Sequence, residues 1–362
     1  MPMKRVLLTG ANNLIGSHIL DQLLTRNVAV RAVVGSRDEA LSLQQQYPVT
    51  GHPTLDFAIV PQKDIAVPGA YDLALSGSQE PFDTVIHTVP PDPSEEADCL
   101  SRFINVETEA LISFLRSIKE VAPRVQRVIV TTSLTPFARW LVDPQVERIP
   151  RIGNPSSPTA AEIDSEYVLA TSRASDNIVC DAVWKWSKDT PVGFDLVSLA
   201  APSIYGPSIR PLSNSSDLED ANRRIWNICS NNFSELVTSP PYGIDYYTDV
   251  RDLAFANVQA VFMPEARNKR FLISAGAMPA GSVIAEFLRN QFPEFGSRIR
   301  PDSSPPRQPI SGDPPIDFVD THLAASILGL VRYRMAEETL TDLARQILEL
   351  HRRKEWKRVI QS

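Results

Sequence analysis

The stretch "YVLATSRASDNIVCDAVWKW", residues 167–186, reads as a helix, with Ala174, Ile178, Ala182 and Trp186 recurring every four residues along one stripe. The neighbouring face carries Ser172, Asp176, Val179 and Val183, an apolar row that opens with a hydroxyl and a carboxylate one turn apart. A solvated first turn is the plain explanation. The chemical one is a general base: partial burial raises a carboxylate's pKa, and an Asp so tuned removes a proton next to a carbonyl. Far upstream, Gly10 and Gly16 flank a turn in "TGANNLIG". Glycines there let the backbone approach a pyrophosphate, which then sits at a helix N-terminus.

These residues need elements to hold them. "KRVLLTGANNLIGSHILDQLLTRNVAVRAVV" predicts a strand over 6–8, a helix over 15–24 and a strand over 28–34, which is one βαβ unit and hence a parallel sheet. Further strands are expected over 55–60, 82–90 and 125–132, with a helix over 101–121 before the last. Their carboxyl ends converge on the crevice where open α/β sheets bind ligands, and His87 stands at one such end.

Beyond residue 190 the pattern is mixed. "FDLVSLAAPSIYGP" is a strand leading into a loop, and residues 216–231, 281–291 and 335–355 read as helices. A short strand is expected over 271–274, and "HRRKEWKR" forms a basic cluster at the end of the last helix. "NNFSELVTSPPYGIDYYTDV" (231–250) has the aromatics and prolines of a pocket wall, which makes Tyr246 and Tyr247, with Tyr205, candidate substrate contacts beside His87. The proline-rich stretches 145–158 and 301–315 read as loops. The expected architecture is α/β: a Rossmann-type doubly wound parallel sheet over 1–200, and a smaller C-terminal substrate-binding lobe over 201–362. Residues 250–260 and the last helix are expected to pack back on the first domain.

Composition narrows the function. A net charge of −7 and a pI near 5.4 argue against nucleic-acid or anionic-membrane partners, which require a basic footprint. Cys99, Cys180 and Cys229 are too widely spaced for a disulfide framework or a zinc pattern. The apolar run after the N-terminus is too short for a signal peptide, and no later run is long enough to span a membrane. The expectation is a soluble, cytoplasmic monomer or homodimer acting on a small apolar molecule.

The motifs, taken in order, resemble a family. "TGANNLIGSHI" is similar to the TGxxGxxG turn of extended short-chain dehydrogenases/reductases, in the branch of cinnamoyl-CoA reductases, dihydroflavonol reductases and fungal ketoreductases. "VIHTVPP" resembles that branch's VIHxASP stretch, and "VIVTTS" its strand ending in the catalytic serine, here Ser133. "APSIYGP" is similar to NPxxxxGP and "DVRDLAFANVQA" to VRDVAxAH. "RFLISAG" and "EETLTDLARQIL" match the closing strand and last helix. The resemblance spans essentially the whole chain. It implies NADP(H) contacts at Gly10, Asn13, Leu14, Ile15, Gly16, Arg37, Asp64, Thr88 and Pro202.

The departures from the family pattern fall on its chemistry. Its catalytic pair is YxxxK: the tyrosine donates a proton as hydride arrives, and the lysine lowers the tyrosine's pKa and holds the nicotinamide ribose. Counting back from Trp184-Lys185-Trp186 places Ser172 at the tyrosine and Asp176 at the lysine. None of the eight tyrosines has a lysine four residues on, so no shift of register restores the motif. Asn13 replaces the middle glycine of the turn. Asn tolerates left-handed dihedrals, so the turn survives, with its side chain directed at the pyrophosphate and cofactor binding weakened or lost.

The expected function is therefore a non-redox tailoring step of secondary metabolism on an apolar carbonyl compound: isomerisation, dehydration, aldol-type chemistry or cyclisation. Ser133, Thr135, Tyr167, Ser172 and Asp176 would carry it. One alternative is an NADPH-dependent carbonyl reductase with a relocated proton donor, Tyr167 or Tyr205. The other is a non-catalytic nucleotide or metabolite sensor.

Overall fold

β-branched runs alternating with amphipathic segments dictate the architecture of the computed structural model, which describes residues 4–48, 54–76, 80–89, 99–142, 151–152, 162–163, 165–230, 246–296, 298–299 and 322–361. The strands are β1 (Arg5–Thr9), β2 (Ala29–Val34), β3 (Leu55–Ile59), β4 (Thr84–His87), β5 (Arg127–Ser133), β6 (Arg151–Ile152), β7 (Glu162–Ile163), β8 (Asp195–Ala201), β9 (Ser203–Tyr205), β10 (Tyr246–Asp249), β11 (Arg270–Leu272) and β12 (Gly276–Ala277). The helices are α1 (Leu14–Thr25), α2 (Arg37–Gln46), α3 (Asp72–Ser76), α4 (Leu100–Val121), α5 (Thr135–Val142), α6 (Ser165–Asp189), α7 (Asp220–Cys229), α8 (Val250–Phe262), α9 (Gly281–Gln291), α10 (His322–Leu328) and α11 (Ala336–Gln361).

Seven strands form one parallel sheet in the order β11-β8-β5-β4-β1-β2-β3. This is the Rossmann-type doubly wound sheet. Strand order reverses between β1 and β4, where Val6 lies opposite Thr84 and Leu8 opposite Ile86. Connections leave the two strands in opposite directions there, which opens a crevice at their carboxyl ends. Every residue of β2 is buried, as a strand covered on both faces requires.

Helices cover both faces. Ile19, Leu20 and Leu23 of α1 and Leu253, Ala256 and Val258 of α8 share one core with Val6, Leu8 and Val30. On the other face, Phe103, Leu111 and Phe114 of α4 and Val179 and Val183 of α6 pack on Leu7, Val85 and Val128. A third core joins α7, α9 and α11 to the small sheet β12-β10-β9.

Ionic contacts tie this third core to the rest. Arg251 at the start of α8 pairs with Asp249 (2.8 Å) and with Asp342 of α11 (2.6 Å), and Asp249 also accepts from Thr339 (2.7 Å). His18 of α1 lies 2.8 Å from the Pro207 carbonyl in the loop after β9. Asp249 is fully buried, and its cationic partner holds its pKa below the usual carboxylate range against the opposing effect of burial. Among the described residues no helix is long and apolar enough to cross a membrane.

Candidate functional site

Backbone geometry builds the phosphate-facing end of the crevice. β1 stops at Gly10, whose φ of +65° lies in the left-handed region. A Cβ there would stand 2.4 Å from Val89 Cγ2 and 2.8 Å from Thr88 Oγ1. Gly16 lets α1 press onto the turn, since a Cβ would meet the Gly10 carbonyl oxygen at 2.0 Å.

Asn13 departs from what the sequence suggested. It is extended (φ −82°, ψ 174°), not left-handed, and caps α1: its Oδ1 accepts from Gly16 N at 2.6 Å. Its Nδ2 donates to the Thr88 carbonyl (3.3 Å) and hydroxyl (3.2 Å), so the side chain folds inward against β4. The amides of Leu14 and Ile15, in the first turn of α1, have no intrahelical acceptor and form the anion-facing end of the helix. These residues fit a dinucleotide's pyrophosphate.

Beside the turn, Thr9 joins β1 to β4. Its hydroxyl accepts from Thr88 N at 3.1 Å and lies 3.0 Å from His87 Nδ1, while Thr88 Oγ1 donates to the Thr9 carbonyl at 2.8 Å. His87 is buried against Phe114 (4.4 Å between centroids) and near Tyr71 (6.0 Å). Burial pushes its pKa down to about 4, so at neutral pH it is an uncharged support under the turn. At the end of β2, Glu39 accepts from Gly35 N (2.8 Å), and Arg37 is exposed in the first turn of α2. Asp64 lies half-buried in a turn after β3.

β5 delivers the next group. Ser133 Oγ lies 3.1 Å from Thr135 Oγ1 and 3.4 Å from the Pro202 carbonyl, and accepts from Thr135 N at 3.2 Å. Ser133, Thr135 and Pro202 are therefore brought together at the carboxyl ends of β5 and β8.

The face of α6 that carries Ser172 and Asp176 is not solvated. Ser172 is 0% exposed and Asp176 5%, and they lead the buried row of Val179 and Val183, while Ile178 on the other stripe is 53% exposed. Among the described residues Ser172 Oγ and Asp176 Oδ1 have no hydrogen-bond partner. Burial pushes the Asp176 pKa up to about 6. Tyr167 belongs to the helix itself, its ring exposed, and lies about 140° around the axis from Ser172.

The remaining aromatic candidates are buried. Tyr205 accepts a hydrogen bond from Arg224 Nη1 at 3.1 Å, Tyr247 donates to the Arg334 carbonyl at 3.1 Å, and Tyr246 sits in the core shared by α4 and α6. Residues 231–245 of the expected pocket wall, and 301–315, lie outside the described residues.

The sequence reading missed Glu107, Thr132 and Cys180, which surround Asp176. Glu107 had a readable signal: with Phe103, Ala110, Leu111 and Phe114 it stands on the buried face of α4, where a carboxylate has no place in a plain core.

No family model matches the chain. It is 30% identical over 348 residues to the ketoreductase azaE of Aspergillus niger, covering 96% of this chain and 98% of the relative. The chain belongs to the extended short-chain dehydrogenase/reductase superfamily. Over 360 residues it is 23% identical to the NADPH-dependent methylglyoxal reductase GRE2 of Saccharomyces cerevisiae, covering 96% and 99%. The structure of yeast methylglyoxal/isovaleraldehyde reductase Gre2 complexed with NADPH superposes with a TM-score of 0.68 at 21% identity, over 96% of this chain and 99% of that one. These relatives correct the functional expectation. They are reductases matched from end to end, so the non-redox assignment made from the missing tyrosine and lysine is overturned, while the assignment as an enzyme stands.

Proposed function

We propose that this member of the superfamily is an NADPH-dependent carbonyl reductase acting on a small carbonyl compound, with a proton donor other than a helix tyrosine. The observation that carries the reading is the turn after β1. Asn13 satisfies Gly16 N and turns its side chain into β4, so the helix end stays open through the Leu14 and Ile15 amides.

Bound NADPH would supply the hydride. The chain's own part is to hold it and to receive the carbonyl. The two amides would face the pyrophosphate, and Arg37, exposed in the first turn of α2, suits a 2′-phosphate. Ser133, fixed by Thr135 and beside Pro202, is placed to donate to the carbonyl oxygen as negative charge grows there. The Tyr205 hydroxyl is engaged by Arg224 Nη1 in the third core, which speaks against it as the relocated donor.

The test is NADPH oxidation by the purified protein across a panel of aldehydes and ketones. The reading expects turnover with at least one of them and a marked loss of it in Ser133→Ala. No turnover across the panel, with NADPH binding absent, would overturn it.

A further inference from the structure

Between α4, α6 and β5 lies a group of buried oxygen atoms that no described residue satisfies. Among the described residues Glu107 Oε2, Asp176 Oδ1, Thr132 Oγ1 and Ser172 Oγ have no hydrogen-bond partner, and their residues are 3%, 5%, 6% and 0% exposed. Of the nine such atoms among the described residues, four are concentrated on these three adjoining elements. Burial first, and then the negative charge of Asp176, push the Glu107 pKa up to about 8. Two carboxylates cannot share a dry site while both are charged.

The other charged groups reaching them do not neutralise the pair. Cys180 Sγ lies 3.9 Å from Asp176 Oδ2 and its thiol is held neutral by burial. Arg270 of β11, stacked over Trp184 and paired with Asp181 at 2.6 Å, draws the Asp176 pKa partly down but leaves it raised, at about 6. Two turns along the same buried face of α4, His87 is neutral against Phe114. Thr132 lies close enough to draw the Asp176 pKa partly down without reaching hydrogen-bond geometry.

α6 begins at the carboxyl end of the sheet, because it leads from β5 to the parallel strand β8. Ser172 therefore lies one turn closer to the crevice than Asp176. We propose that Glu107 and Asp176 form a proton-holding couple that supplies, through the Ser172 hydroxyl, the proton consumed in carbonyl reduction. This rests on the reductase reading given above. In that reaction hydride from NADPH forms the new C–H bond, the C=O π-bond breaks, and its oxygen takes a proton to become a hydroxyl. Ser172 gives that proton and regains one from the couple, which is recharged from water between turnovers. Glu107 and Asp176 are positioning residues, since they act through Ser172.

Two measurements on the full-length protein test it. Infrared spectra at neutral pH should show a protonated-carboxyl stretching band that Glu107→Gln removes or Asp176→Asn shifts; no such band, or one unchanged in both variants, overturns the couple. The second is the pH profile of single-turnover reduction. The wild-type rate should fall up to tenfold per pH unit above the couple's titration, and this limb should move or vanish in Glu107→Gln, whereas a merely structural glutamate would leave it in place. Absence of reduction by the wild type overturns the reductase reading, whatever the band shows. Reduction with the same pH limb in wild type and Glu107→Gln overturns the couple alone.

Discussion

The turn after β1 and the buried face of α6 are built from different materials. Against the motifs read in the sequence, Asn13 is the departure in one and Ser172 with Asp176 in the other. The turn absorbs its change because its work is done by main-chain amides and by two close approaches that only glycine permits; Asn13 merely supplies a cap and a link to Thr88. The face of α6 works through side chains, so replacing them replaces the chemistry. Ser172 and Asp176 put a hydroxyl and a carboxylate on that buried face, and the charge of Asp176 helps to raise the pKa of Glu107 on α4. A site made of backbone tolerates sequence drift that a site made of side chains does not.

The sharpest way to break this contrast is Gly16→Val. A side chain whose Cβ begins 2.0 Å from the Gly10 carbonyl must push α1 off the turn. The expected cost is about 3 kcal/mol, read by denaturant unfolding, with loss of NADPH binding.

Next is the pH dependence of stability. The folded chain holds protons on Glu107 (pKa about 8, from 4.5) and Asp176 (about 6, from 3.8) at pH values where the unfolded chain has released them. Their contribution is complete below the unfolded values and is lost as pH rises, through about 6 for Asp176 and about 8 for Glu107. Melting temperature should therefore decline over this window, and Glu107→Gln should remove the upper part of the decline. An identical decline in the variant would separate Glu107 from it.

The smallest effect is at Asn13. Asn13→Ala should cost about 1 kcal/mol through the lost cap, whereas Asn13→Gly should cost a few tenths and keep NADPH affinity. Equal losses in the two variants would mean that the cap is not what Asn13 contributes.

Much of this was legible in the chain itself. The strand–turn–helix around Gly10 and Gly16 could be read because local spacing determines it. Ser172 and Asp176 could be recognised as out of place on an apolar row for the same reason. Their burial could not be read, since it depends on α4, which packs on α6 from far along the chain. Glu107 carried its own signal among Phe103, Leu111 and Phe114, but only the fold brings it to Asp176. Asn13 misled because tolerance of left-handed dihedrals was the property in view, whereas its amide group does the work in an extended conformation. The reaction class misled for a related reason: loss of a known donor was equated with loss of redox chemistry.

Calorimetric titration of NADPH into the wild-type protein, with Gly16→Val as control, tests most directly that the turn after β1 is a working nucleotide cradle. Saturable single-site binding by the wild type, abolished in the variant, is the predicted result. No saturable heat from the folded wild-type protein would contradict it.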